Sequence, residues 1–243
     1  MIQLEIAKHI IWPTTLSNNT KRKLIEIAQC KTEFTDERQI FSDGVCYIYQ
    51  GTAAICMQAK NLKTVNHMVM GKQEWFGDCQ SVKNNLLSFS LSEVEPLNLV
   101  FFPSNQLNRL MENDLEVVKW LYHVVNGSQQ KWRQSQLLSS ENKLIKISCL
   151  LIELAMQQRQ IKGVFPKIAI SQQTTSMILG IARQRVNEAL KQLESLGYIE
   201  LERSSVYITD FKGLCGILDN VDLSIRDPRI SLNTIMCELT ASA

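Results

Sequence analysis

The stretch "ISQQTTSMILGIARQRVNEALKQLESLGYIELERSSVYITDFKGL", residues 170–214, decides how this chain reads. Ser171 stands just before a run in which Thr175, Ile178 and Leu179 share one helical face, and a serine there can accept a hydrogen bond from an early backbone N–H. Gly180 follows, suited to the positive φ that a sharp reversal needs. Beyond it Val186, Ala189, Leu190 and Leu193 fall within about 100° of one another on a second helix, which makes them its buried stripe. The segment "GYIELERSSVYITDF" then alternates as two short strands joined near Glu202 to Ser205. Helix, tight turn, helix and hairpin in this order predict a winged helix-turn-helix.

The outward face of the second helix carries the chemistry. Gln184, Asn187, Glu188 and Lys191 point away from the apolar stripe, and Arg183 and Arg185 lie toward its edges near the helix start. A helix set with its N-terminal end in a DNA major groove needs amides and arginines for base edges and cations at the rims for phosphates. Glu188 fits that scheme because a carboxylate can accept from a cytosine amino group. Arg203, Ser204 and Ser205 at the hairpin tip can reach the sugar-phosphate backbone, although Glu200 and Glu202 argue against a strongly electrostatic wing. An isolated helix with such a face would be read as merely solvated; the preceding helix and the following hairpin favour the DNA reading.

Upstream, the first third holds β-type runs: "VCYIYQG" (45–51), "AAICM" (53–57), "VNHMVMG" (65–71), "LLSFSLS" (86–92) and "LNLVFFP" (97–103). Gly51, Asn61, Gly71, Gly77 and Pro96 are expected to break them into separate short strands of a sandwich or roll. From about Asp114 to Leu138 a long helix is expected, with Val118, Leu121, Val125, Ser128, Trp132 and Ser135 spaced like a coiled-coil seam. It reads either as a dimerisation helix or as a core helix lying on the β domain. Ser139-Ser140 are expected to end it and to cap the next helix, "ENKLIKISCLLIELAMQQR", across a hinge, and a short "KIAI" strand leads on to Ser171.

Composition sets outer limits. With 243 residues and 45% apolar content, two domains are expected, and a formal charge of +2 is too mild to announce a polyanion partner, so local placement must carry that inference. The seven cysteines (Cys30, Cys46, Cys56, Cys79, Cys149, Cys215 and Cys237) are scattered and odd in number, which fits a reducing cytoplasm better than a disulfide framework. Neither a signal peptide nor a membrane span is expected, since the apolar run "LIKISCLLIELAM" is broken by Lys146 and Glu153. Three histidines, His9, His67 and His123, with no His-x-His pair, speak against a metal-dependent barrel enzyme.

Together, the 170–214 block and the weaker "CYIYQGTAAI" and "WFGDC" segments resemble the CRP/FNR superfamily of bacterial transcription regulators, over roughly residues 30–214. The resemblance implies an α+β fold: an N-terminal, jelly-roll-like β-roll of the effector type with an N-terminal helix (1–113), a long dimerisation helix (114–138), a winged helix-turn-helix (139–214) and an extension of unknown role (215–243). It implies a non-enzymatic homodimer on a two-fold operator of double-stranded DNA, and for an activator a contact with RNA polymerase. The dimer interface would draw on Val118, Leu121, Val125 and Trp132. Arg183, Gln184, Asn187 and Glu188 would read bases, while Ser171, Gln173, Arg185, Lys191 and Arg203 would hold phosphates.

Two departures from the family pattern stand out. Ala182 occupies a position where the family commonly has serine or threonine, and alanine cannot cap a helix; Arg185 or the preceding helix must hold that end instead. In the effector pocket, Gly77, Asp78, Lys83 and Ser88 are the candidates, but "NNLLSFSLS" offers no arginine for a cyclic phosphate, so a cyclic nucleotide is not expected. The cysteine spacing does not support an iron-sulfur cluster; a haem would need an axial ligand, for which His67, His123 or Cys79 could serve, but a lone histidine is more often structural or exposed. The effector thus stays open, and a signalling protein that binds a cyclic nucleotide or haem, with its helical domain contacting protein, is the alternative.

Overall fold

The computed structural model describes residues 4–32, 43–60, 63–77, 88–158 and 166–230. Two compact units divide the chain, one formed by 1–61 with 70–131 and the other by 62–69 with 132–243. The sheet strands of the N-terminal part are β1 (Gln29–Lys31), β2 (Gly44–Gln58), β3 (Thr64–Met70), β4 (Trp75–Gly77) and β5 (Ser88–Pro103). Its helices are α1 (Leu4–Lys8), α2 (Asn18–Ile27), α3 (Ser104–Met111) and the long α4 (Leu115–Leu138). The architecture is the expected α+β one, an antiparallel sheet domain followed by a helix-turn-helix region.

In the first unit β2 and β5 form one long antiparallel ladder from Gly44↔Pro103 to Gln58↔Ser88. β1 pairs with the other edge of β5, and β4 pairs with β2 over Val45 to Tyr47. The separate strands expected around Gly51 and Pro96 are therefore two continuous bent ones. Gly51 has φ +91° and sits so close to the facing chain that a β-carbon would lie 2.2 Å from the Pro96 carbonyl oxygen. The register slips around it, between Ile48 and Ala53. Here glycine and proline bend the ladder at a bulge without ending it.

Both faces of this ladder are buried over Gly44–Ile48 and Leu99–Phe102, which is why these stretches read as nearly continuous apolar runs. By the two-residue period of a strand, Val45 and Tyr47 point to one side and Cys46 and Ile48 to the other. Val45, Tyr47, Val100 and Phe102 form one cluster with Leu24, Leu107, Val117, Trp120 and Val124 from α2, α3 and α4. Its centre is aromatic: Trp75 lies tilted against Tyr47 at 4.7 Å and meets Trp120 edge-on at 5.3 Å, with Phe102 5.5 Å from each of these tryptophans. The polar ends of these rings fix the incoming chain. Trp75 Nε1 donates to the Ile11 carbonyl at 2.8 Å, and Tyr47 accepts from the Ile11 N–H while donating to the His9 carbonyl.

The second unit is built on α5 (Lys143–Gln157), whose Ile147 to Ile152, Leu154 and Ala155 are all buried. Its N-cap is Asn142, accepting from Leu144 N–H at 2.9 Å and Ile145 N–H at 3.1 Å. The expected serine cap is thus corrected: the Ser140 hydroxyl turns back to the Leu137 carbonyl of the helix before it. Around α5 lie β6 (Lys167–Ile168), α6 (Gln172–Leu179), α7 (Arg183–Ser195), β7 (Ile199–Glu202), β8 (Ser205–Ile208) and α8 (Phe211–Gly216). The strands make an antiparallel sheet in the order β6-β8-β7.

The described residues after α8, up to residue 230, are held to the rest of the unit. Leu218 and Pro228 are buried, Gln134 donates to the Asp222 carbonyl at 2.8 Å and accepts from the Arg226 N–H at 3.1 Å, and Arg226 pairs with Glu153 of α5. Arg229 binds Asp227, Asp219 and the Cys215 carbonyl.

The aromatic cluster yields the first prediction. Trp120→Ala should lower the unfolding free energy by about 3–5 kcal/mol, the usual cost of emptying a buried aromatic site, whereas Trp120→Phe should lose clearly less; urea denaturation followed by circular dichroism measures both.

Candidate nucleic-acid interface

The turn between α6 and α7 forms as its residues require. Ser171 caps α6, accepting from the Thr174 N–H at 3.0 Å, and Thr175 and Ile178 are buried beneath it while Leu179 is half-buried. Gly180 closes α6 in the left-handed region, φ +62°, with its N–H on the Ser176 carbonyl. A β-carbon there would lie 2.3 Å from the carbonyl oxygen of Thr64, whose hydroxyl donates to the Met177 carbonyl at 2.6 Å. Glycine is needed at this position for conformation and for space alike.

α7 starts at Arg183, and Ala182 supplies no side-chain cap. The preceding helix holds this end: the Ser176 hydroxyl donates to the Ile181 carbonyl at 2.6 Å, and the Ile181 N–H reaches the Ser176 carbonyl at 3.3 Å. Val186, Ala189, Leu190 and Leu193 are buried as the stripe predicts.

Arg183, Gln184, Arg185, Glu188 and Lys191 are exposed on α7, Gln173 is exposed on α6, and Arg203 and Ser204 are exposed at the hairpin tip, where Ser204 takes φ +60°. Ser205 is buried and Ser171 half-buried. Two of the outward residues have partners inside the unit. Asn187, half-buried, accepts through Oδ1 from Gln172 Nε2 at 3.0 Å. Glu188 is paired with Lys143 from the first turn of α5, Nζ to Oε2 at 2.5 Å, and this hydrogen bond holds its carboxyl below the usual range. Lys143, Gln172 and Ser176 are missing from the sequence reading. No local spacing marks Lys143 and Gln172, which act across 45 and 15 residues, whereas Ser176 acts across the turn, on a residue five positions on.

At the hairpin, Glu202 accepts from the Tyr207 hydroxyl at 3.1 Å and lies 3.6 Å from Lys167, whose ammonium sits over the Tyr207 ring. That arrangement, led by the Tyr207 hydroxyl, raises the Lys167 pKa. Glu202 is thus partnered within the sheet, which reduces the acidity expected of the wing.

Of the effector candidates, Gly77 ends β4 at φ +108° with no room for a β-carbon beside the Gly44 carbonyl. Asp78 and Lys83 lie outside the described residues, as does the side chain of Ser88. Among the possible haem ligands, Cys79 also lies outside them; burial lowers the pKa of His67 and so favours its neutral form, and His123 is exposed. Burial raises the thiols of Cys46 and Cys149, and that of Cys215 to about 11. Among the described residues no group of three or more His, Cys, Asp or Glu side chains could hold a metal, and no helix is long and apolar enough to cross a membrane. The seam candidates on α4 divide: Val118 is exposed, Val125 and Trp132 are half-buried, and Leu121 packs partly against the aromatic cluster.

Comparison with known proteins matches residues 145–217 to the family model of the Crp-like helix-turn-helix domain. The fold of most of the chain is that of CRP/FNR regulators. A transcriptional regulator assigned to that family from Eubacterium rectale aligns with a TM-score of 0.62 at 12% identity, covering 82% of this chain and 93% of its own. FixK2 from Bradyrhizobium japonicum gives 0.59 at 15% identity, over 78% of this chain and 96% of that one. The CRP/FNR-family regulator TTHA1359 from Thermus thermophilus gives 0.56 at 17%, over 74% and 89%. By sequence alone the chain has no significant match among curated proteins.

The uncapped helix end gives a paired test. Ala182→Ser, whose backbone at φ −56°, ψ 135° is already extended as a cap requires, should raise the unfolding free energy by about 1 kcal/mol. Ser176→Ala should lower it by about 1 kcal/mol through the lost hydrogen bond. Thermal and chemical denaturation of the two variants checks both signs.

Proposed function

We propose that this chain is a transcription regulator of the CRP/FNR type and works as a homodimer that reads a two-fold operator in double-stranded DNA with α7. The observation that carries the reading is the cluster of exposed donors at the start of α7, Arg183, Gln184 and Arg185, on a helix whose opposite face is wholly buried. Helix starts of this composition suit the major groove, where arginine pairs with guanine and glutamine with adenine. In this reading Asn187 and Glu188 complete the base-reading set. Ser171, Gln173, Arg185, Lys191 and Arg203 approach phosphates, which fix the register of the protein on the duplex without reading sequence.

Dimerisation is proposed along α4, where Leu115, Val118 and Tyr122 are exposed at three-and-four spacing, with Val125 continuing the row. Exposed apolar residues in such a row favour a partner, because water otherwise covers them at a cost proportional to their area. The division proposed is a β-roll over 1–113, the dimerisation helix over 114–138, the winged helix-turn-helix over 139–214 and an extension over 215–243, in a cytoplasmic protein. The input signal is left unassigned, since a cyclic phosphate would find no arginine in the corresponding segment.

Two experiments test this. In binding assays on selected operator duplexes, Arg183→Ala and Gln184→Ala should each relax base preference at a cost of about 1–3 kcal/mol, whereas Arg185→Ala should weaken binding to every sequence and lower the salt slope by about one. Equal losses for Gln184→Ala on operator and random DNA would contradict its assignment to a base. Replacing Val118 and Tyr122 with glutamate should give monomers in analytical ultracentrifugation, and an unchanged dimer would place the interface elsewhere.

A further inference from the structure

The ion pair between Lys143 and Glu188 is not explained by folding. Both side chains are substantially exposed, at 37% and 49%, and pairs of that kind contribute little to stability. Lys143 also stands in the first turn of α5, where the helix dipole disfavours a cation. Glu188 in turn is a carboxylate flanked by Arg185 and Lys191 on the outward side of α7, a surface that a polyanion would approach. Left alone there it would be repelled by phosphate.

We propose that Lys143 is a positioning residue that determines specificity: its ammonium neutralises Glu188 and fixes the carboxylate so that one free oxygen faces a base-edge amino group. This rests on the DNA-binding reading given above. The geometry supports it in three ways. Oε2 accepts from Lys143 Nζ at 2.5 Å, and Oε1 has no hydrogen bond from the described residues, so one acceptor is used and the other remains. The anchor is rigid, since Lys143 follows directly on the Asn142 cap and its helix is buried from Ile147 to Ile152. The hydrogen bond also holds the carboxyl in its ionised, acceptor-only form. An acceptor of that kind selects cytosine N4 or adenine N6 and rejects the carbonyl edges of guanine and thymine.

The test is selection from randomised duplexes by the full-length wild type, Lys143→Met, Lys143→Arg and Glu188→Ala, with melting curves to verify that all four fold alike. The wild type is expected to prefer an amino-bearing base at one position of each half-site. Lys143→Met and Glu188→Ala should lose that preference at the same position by about 5- to 150-fold, the usual span of one mismatched base pair, and Lys143→Arg should keep it. The proposal is overturned if Lys143→Met retains the preference that Glu188→Ala abolishes, if Glu188→Ala changes no position, or if Lys143→Met weakens all duplexes equally, which would make Lys143 a phosphate contact. A wild type that selects no sequence at all would instead defeat the DNA-binding reading itself.

Discussion

The contact on which the reading surface depends is the absence of a β-carbon at Gly180. With φ +62° and the Thr64 carbonyl oxygen 2.3 Å from where a β-carbon would stand, the residue lets α6 stop abruptly, and Ser176 reaches the Ile181 carbonyl across the turn. Everything outward on α7 inherits its position from that turn. Arg183 and Gln184 lie within four residues of Gly180, so a displacement of a few tenths of an ångström there would be passed directly to their guanidinium and amide groups. Long side chains can be flexible readers only if their backbone is not, and here the rigidity comes from a neighbouring helix in place of a cap.

The helix-turn-helix was legible because each of its signals is local. A capping serine, a glycine and a stripe at three-and-four spacing sit within some twenty residues, and the structure finds Ser171, Gly180, Val186 and Leu193 in the expected roles. The sheet was legible in composition but not in segmentation, because Gly51 and Pro96 serve as bend points in a ladder whose partner strand decides whether a turn residue breaks it. Asn142 could have been chosen over Ser139 and Ser140 from the sequence, since asparagine is as good a cap as serine and stands directly before the apolar run. What no local pattern could show is pairing at a distance. Gln172 with Asn187 and Lys143 with Glu188 join separate helices, and they change what those two α7 residues have left to offer.

These pairings give the outward surface an inner order. Arg183, Gln184 and Arg185 have no intramolecular ion pair or side-chain hydrogen bond among the described residues, whereas Asn187 and Glu188 each have one acceptor already in use. The first group can adapt to whatever edge or phosphate it meets. The second is committed in advance to a direction, which lowers the entropy lost on contact and narrows the range of groups it will accept.

Gln134 gives the segment after α8 a meaning of its own. That amide is 3% exposed, and both of its ends are satisfied by backbone groups near Asp222 and Arg226. A chain cut where the Crp-like match stops, at residue 217, would lose both backbone partners of this amide and would strip Glu153 of its arginine. The hydrogen-bonded body of this unit thus reaches past the matched span at both ends, back to Gln134 in the last turns of α4 and on to Arg226.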